Sequence, residues 1–460
     1  MSHPSGNRRC DTPHAAGRAL LVAFHYPPEI SGGAPRLLYF EDYLVRSGWD
    51  VTILTPQPAK RGARGGDILR LPPPSYLAPA GAPPSGGKSG EAPSAGPRPR
   101  SKLSRAFRQW VKRWLFIPDL YVRWSQRAAD MAIEEHCSRP FDLVITSSPQ
   151  ESGHTVGRRL QQQFRCPWLA DFRDGWTFEP HRPDAALPVR NAVEWWLERR
   201  VLRKADWVTA ATRPIADDFR ERFAHRAATV FYLPTGFQES PPQPLPPEDG
   251  FFRLVYTGRF GLSQGCRTPE RLVAGLRLAL ADADFARRFR LRLVGDFSAD
   301  ERALWNRGPL ADCIEEVGPR PYDEAVRLAA SSTMLLLVTP PGLRSIATRK
   351  LFDYLAVRRP VFALAENNEA ARILEETQAG MCVSPEKPEA IAAGLRRAFD
   401  LWRRGELERA IPCSRNDLYR AEPHFDRVLG KIIEGLRASP GREPLNRTDG
   451  RRRATPQATQ

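Results

Sequence analysis

Four short stretches hold residue types that could do chemistry. In WLADFRDGW, Asp171, Arg173 and Asp174 fall within four residues. A carboxylate beside a guanidinium can accept a proton, hold a sugar hydroxyl or balance a charged leaving group. The same spacing also suits a surface ion pair with an Asp helix cap. In VYTGRFG, a glycine-flanked Arg259 ends an apolar run, and Arg267 follows in the loop before the next helix. Guanidinium forks there would meet phosphate oxygens, although an arginine-rich chain also scatters solvated ones. In RKLFDYLAVRRPV, Lys350 is one of only eight lysines, and Asp353 shares its helix face at i, i+3. An ordinary helical ion pair is the plain alternative. In HYPPEISGGAPR, Gly32 and Gly33 would let an anion approach backbone N–H groups at a helix N-terminus, or simply make a turn. No P-loop lysine and no GxGxxG spacing accompany them, so neither ATP nor NAD is implied.

Those residues need a scaffold that brings strand ends together. Short apolar runs predict strands at 19–24, 51–56, 141–149, 166–174, 205–212 and 229–236, with helical stretches between them, the first at 36–47. Residues 237–250 hold five prolines and read as a linker. The rhythm then repeats at 252–261, 289–297, 331–339 and 359–365. The expected class is α/β, with two doubly wound parallel sheets whose C-terminal strand edges face a ligand crevice. The first unit spans 19–236, the second 251–411, and a closing helix 412–436. Residues 1–18 and 437–460 read as disordered tails. The stretch 57–100 is so rich in Pro, Gly, Ala and Ser that a disordered insertion is expected. After it, residues 101–116 form an amphipathic pattern, with Leu103, Phe107, Trp110, Val111 and Trp114 opposite Lys102, Arg105, Arg108, Lys112 and Arg113. Packing on the first unit and contact with an anionic membrane surface both fit this helix.

The chain has 460 residues and a net charge of +16. That charge does not mark a nucleic-acid binder, because it lies outside the folded body. Residues 98–113 alone carry +7, and the two tails and the 56–97 loop carry the rest. No zinc-finger spacing or basic-aromatic RNA motif is present. Seven single cysteines without a CxxC pair suggest a reducing cytoplasm and no structural zinc. No apolar run reaches membrane-spanning length, and the N-terminal residues lack a signal-peptide core.

Taken together, HYPPEISGGAPR, GWDVTILTP, the SSP at 147–149, WLADFRDGW, LPTGF at 233–237, VYTGRFG, LRLVGDF and RKLFDYLAVRRPV occur in the order seen in family 4 glycosyltransferases. The chain resembles that family over roughly residues 20–400. It is most similar to the subgroup that builds bacterial surface polysaccharides. The resemblance implies the GT-B architecture, two Rossmann-like domains across a cleft, with a nucleotide-diphosphate sugar as donor. It implies a glycan or lipid-linked acceptor, retention of anomeric configuration, and no metal or cofactor. Arg259, Lys350 and Arg267 would clamp the diphosphate, Gly32 and Gly33 would lie near it, and Asp353 would hold the ribose. Asp174, oriented by Arg173, would serve catalysis, with Asp171 on the acceptor side. The cysteine usage points to the cytoplasm, and the basic aromatic stretch 102–116 to peripheral contact at the inner membrane face, which suits a lipid-linked acceptor. Ser345 stands where the family carries a first acid, eight residues before Asp353. Arg173-Asp174 stand where many members carry His-Asp, while His25 and His154 lie elsewhere. Two other readings share the architecture: an inactive nucleotide-sugar-binding scaffold of a polysaccharide assembly complex, and a sugar-nucleotide epimerase.

Overall fold

The computed structural model describes residues 16–27, 34–59, 61–74, 116–180, 188–238, 250–260 and 268–438. Its strands are β1 (Arg18–Val22), β2 (Asp50–Thr55), β3 (Asp67–Arg70), β4 (Leu143–Ser147), β5 (Trp168–Phe172), β6 (Trp207–Ala210) and β7 (Val230–Tyr232), followed by β8 (Phe252–Thr257), β9 (Phe289–Val294), β10 (Ile314–Glu316), β11 (Met334–Val338), β12 (Val361–Leu364) and β13 (Gly380–Val383). The helices of nine residues or more are α1 (Ala34–Arg46), α2 (Val122–Ser138), α3 (His154–Phe164), α4 (Pro188–Lys204), α5 (Arg213–Arg222), α6 (Thr268–Ala279), α7 (Tyr322–Ala330), α8 (Arg349–Val357), α9 (Glu369–Thr377), α10 (Pro388–Arg403) and α11 (Ala421–Ala438).

The strands form two sheets, in the orders β3-β2-β1-β4-β5-β6-β7 and β10-β9-β8-β11-β12-β13. Every pairing is parallel. Parallel sheets carry helices on both faces, so their central strands read as unbroken apolar runs. RALLV of β1, WLADF of β5 and MLLLV of β11 are buried along their whole lengths. In each sheet the strand order reverses beside the first strand, at β1/β4 and at β8/β11. A crevice opens outside the carboxyl ends of strands at such a reversal.

The two α/β units are thus as expected, with three differences. Residues 67–70 lie within the expected insertion yet form β3, paired with β2. The edge strands β10 and β13 were not evident from the sequence. The closing helix starts at Ala421, after a short turn of 3-10 helix at Asn416–Tyr419. It packs on the first unit rather than the second: Phe425, Val428, Leu429, Ile432 and Ile433 join one apolar cluster with Leu37, Phe40 and Leu44 of α1. The chain therefore crosses between the units twice, and the crossings touch. Phe237 N–H donates to the Tyr419 carbonyl at 3.1 Å, and Ala421 N–H to the Phe237 carbonyl at 2.8 Å. Gly236 makes this approach possible, since its φ is +66° and a Cβ would lie 2.7 Å from the Tyr419 carbonyl oxygen. Residues 101–115 and 439–460 lie outside the described residues, as do 239–249 of the linker.

Candidate active site

Asp171 sits near the end of β5 with no exposed surface. Its carboxylate is held on all sides. Arg36, at the start of α1 and also fully buried, donates to it at 2.9 Å through Nε and 2.5 Å through Nη2. Ser147 Oγ and Thr209 Oγ1 donate at 2.6 Å each, from β4 and β6. Burial alone would raise the Asp171 carboxyl; the Arg36 charge and these hydrogen bonds outweigh it and hold the group below its ordinary range. Arg36 also reaches the Leu233 carbonyl at 2.7 Å. No lone pair is left for an acceptor hydroxyl, so Asp171 is not on the acceptor side. It joins α1, β4, β5, β6 and the segment after β7 at the crevice edge.

The next residues behave differently. Arg173 and Asp174 are half-buried beyond the end of β5. Burial lowers the Arg173 guanidinium from its usual value, while Asp174 supports its charge; Arg36 and Arg349 act as nearby like charges. Arg349 belongs to α8, so this pair faces the second unit. His154 does not take part. It is fully buried, bonded to Thr146 Oγ1 at 2.8 Å and packed on Phe172, and burial pushes its pKa down to about 4.

Across the crevice, β8 ends in Thr257-Gly258-Arg259. Gly258 has a φ of +98°, and a Cβ there would lie 2.7 Å from Lys350 Cε. Only glycine lets the Lys350 side chain lie along this loop. Lys350 Nζ donates to Tyr256 Oη at 2.7 Å and to the Arg259 carbonyl at 3.1 Å. Burial lowers its pKa to about 8. The Arg259 side chain is 72% exposed and meets Asp296 at 3.0 Å. Lys350 and Asp353 share a helix but not a contact. Asp353 accepts from Tyr322 Oη at 2.9 Å and pairs with Arg349 at 3.5 Å. Burial raises its carboxyl, opposed by Arg349 and Tyr322. Tyr39 of α1 lies within electrostatic reach of Arg349, Asp353 and Tyr322, so the first unit closes over this corner. The structure thus gathers Arg259, Lys350 and Asp353 at the second edge and Arg173 and Asp174 at the first. Gly32, Gly33 and Arg267 lie outside the described residues.

One residue in the crevice was not evident from the sequence. Glu179, on the loop after β5, reaches the loop after β11. It accepts from Arg344 N–H at 3.0 Å and Ser345 N–H at 2.8 Å, and from Arg344 Nε at 3.2 Å. Burial opposes its charge, but those donors hold its carboxyl below the usual range. A carboxylate of the first unit thus reaches the backbone of Ser345, where an acid was missing. Glu179 stands alone in a polar loop, so no motif announced it. On the far side of this contact, a cavity of about 760 Å³ opens between α5 and α9. Phe178, Arg213, Asp217, Arg344, Glu366 and Arg372 help line it, and none of the sequence-predicted site residues does.

Known proteins match the first unit in sequence and the whole described chain in fold. Residues 31–236 match the model of the glycosyl transferase 4-like domain. No curated protein sequence matches the chain. Among solved structures, sucrose-phosphate synthase from Thermosynechococcus elongatus superposes with a TM-score of 0.58 at 18% identity, covering 92% of this chain and 99% of that one. A glycosyltransferase from Rickettsia africae gives 0.61 at 15% identity, with 92% and 99% covered. Anabaena HepE in complex with UDP gives 0.54 at 15% identity, with 92% and 100% covered. The first unit thus carries a glycosyl transferase 4-like domain, and the described chain has the two-sheet GT-B fold of these structures.

Proposed function

We propose that the protein moves a sugar from a nucleoside-diphosphate donor to a hydroxyl of a glycan or lipid-linked acceptor in bacterial polysaccharide synthesis, with retention and without a metal. The observation that carries this reading is the pair of cations at the β8 edge, Arg259 exposed and Lys350 buried enough to titrate near 8. A diphosphate leaving group gains negative charge as the glycosidic bond breaks. Cations already fixed at that point stabilise it without reorganisation. Arg267 would add a third contact, and Gly32-Gly33 a backbone approach. Asp353, beside Tyr322, suits ribose hydroxyls. Asp174 is the carboxylate left free for the acceptor, with Arg173 orienting it, since Asp171 is consumed by Arg36. HepE, on the same fold, has been solved with UDP and with UDP-glucose, which supports a nucleotide sugar here. A peripheral position at the cytoplasmic membrane face through 102–116 would suit a lipid-linked acceptor. Among the described residues, no helix is long and apolar enough to cross a membrane.

A binding scaffold without turnover is the second reading, and Ser345 in place of an acid favours it. Calorimetric titration with UDP, GDP, dTDP and CDP in metal-free buffer, on wild type and Lys350→Ala, tests the donor site. One nucleotide should bind, and the variant should lose about tenfold or more, as a charge-assisted contact of roughly 1.5–3 kcal/mol requires. No binding by any nucleotide would remove the donor assignments. Binding with no sugar transfer to any acceptor extract would leave the scaffold.

A further inference from the structure

Over its first three turns, helix α4 has its polarity reversed. A surface helix normally turns apolar residues to the core and charge to water. Here Arg190, Glu194 and Glu198 face inward, at 5%, 0% and 0% exposure. They are held by specific partners. Arg190 Nε donates to Glu194 at 2.7 Å, Trp176 Nε1 donates to Glu194 at 3.1 Å, and Arg222 Nη1 donates to Glu198 at 2.7 Å. Four apolar residues face out, while Val201 and Leu202 near its end stay buried: Val189 is 64% exposed, Val193 39%, Trp195 43% and Trp196 50%. Four of the seven exposed large hydrophobic side chains described in the molecule thus lie on this one helix. An apolar group that concentrated marks a contact surface.

The charges say what would cover it. Both acids of α4 are turned inward, so its outer face carries only Arg199, Arg200, Arg203 and Lys204. The Arg199 guanidinium lies 4.9 Å from the Trp195 ring centre and that of Arg200 4.4 Å from Trp196. Arg158 of the neighbouring α3 feels Arg200 as a like charge. We propose that this face seats the protein on an anionic lipid bilayer, with the valines and indoles at headgroup depth and the arginines on lipid phosphates. Indole rings favour that depth, and basic side chains beside them are drawn to anionic leaflets. A second copy fits poorly, because a twofold contact would set the same cations against each other. Single-stranded nucleic acid fits poorly too, because the exposed valines Val189 and Val193 offer nothing to bases or phosphates. The segment just after residue 116 lies beside this helix, where Arg190 Nη2 donates to the Pro118 carbonyl at 2.8 Å. The inference stands apart from the transferase reading. It does bear on it, because the inner face of α4 anchors the loop of Asp174 and Glu179 through Trp176 and through Thr177 N–H, which donates to Glu198 at 3.1 Å.

The test is sedimentation of the full chain with phosphatidylglycerol–phosphatidylcholine vesicles against pure phosphatidylcholine vesicles. Two surface variants, Trp195→Ser/Trp196→Ser and Arg199→Glu/Arg200→Glu, are compared at matched melting temperature. Wild type should partition to the anionic vesicles and be released by salt. Each variant should lose about tenfold or more in partition. Partition equal to wild type in both variants would overturn the proposal and assign vesicle binding to 98–113. Equal binding to neutral vesicles would overturn it too. So would a variant that only turns a dimer into a monomer by light scattering, since the face would then be a contact between copies.

Discussion

The two sheet edges that face each other across the crevice follow the same chain grammar and use charge in opposite ways. At the first edge, Asp171 and Arg36 are fully buried, and every carboxylate oxygen has a donor. At the second, Lys350 and Asp353 are half-buried, and both are shifted by burial toward their neutral forms. A buried pair that is complete holds elements together. Ions that are only partly compensated remain receptive to a charged ligand. Within one crevice, then, the carboxylate that looks strongest is architectural, and the groups with something left to bind sit opposite.

The sharpest way to break this contrast is to remove the complete pair. Asp171→Ala leaves the Arg36 guanidinium buried without a counter-charge, and should lower stability by about 3–5 kcal/mol. Urea titration followed by tryptophan fluorescence measures it. A loss under 1 kcal/mol would mean that water reaches Arg36 and that the edge is not closed. At the second edge the sign should reverse. The Lys350 ammonium is disfavoured by burial, with a folded pKa near 8 against 10.5 in the open chain. Its destabilisation is therefore full below pH 8 and fades as pH rises toward 10.5. Lys350→Met should raise stability at pH 7 by about 1–2 kcal/mol, after allowance for screening of a half-buried group. The gain should vanish near pH 10. A variant less stable than wild type at pH 7 would make Lys350 a structural residue.

The sequence showed where these edges are but not which residues on them are free. Strands β1, β5, β8 and β11 are apolar but for at most one charged residue each, so the fold class and the crevice were legible. Strands β3, β10 and β13 read DILR, IEE and GMCV. They are short and mixed in polarity, and neighbours in the sheet alone define them. Asp171 and Asp174 are indistinguishable in ADFRDGW. Only the fold brings Arg36, 135 residues away in sequence, onto one of them. The same holds for Glu179 and Arg344, 165 residues apart. Periodicity would have turned Trp195 and Trp196 of α4 inward. What reverses the helix is Trp176, Arg190 and Arg222 meeting Glu194 and Glu198, and such pairings have no signature along the chain.

The second edge can be probed by titration as well as by mutation. If the charged form of Lys350 binds a diphosphate, affinity should fall as pH rises through 8. Between pH 7 and pH 9 the loss should approach tenfold, since the protonated fraction drops by about that factor. In Lys350→Arg the guanidinium stays charged across this range, and the dependence should flatten. Calorimetric Kd values at the two pH values decide it. A wild-type profile as flat as that of the arginine variant would place the phosphates away from Lys350.

The smallest effect should come from the contact that joins the edges. Glu179 ties the units together with two backbone bonds and one guanidinium bond, all to Arg344 and Ser345. Its carboxyl is held below the usual range, so the tie is intact at neutral pH and lost as acid protonates Glu179 through that lowered value. Glu179→Gln keeps the size and removes the charge. The amide oxygen still accepts from one N–H, so only about 0.5–1.5 kcal/mol of contact is lost. Because the contact spans the two units, the loss should appear as easier opening and not as a weaker core. Small-angle scattering should show a larger radius of gyration for the variant without nucleotide, while its urea midpoint stays close to wild type. A lowered midpoint with unchanged dimensions would instead make Glu179 a fold-stabilising residue like Asp171, and the two edges would differ less than their geometry implies.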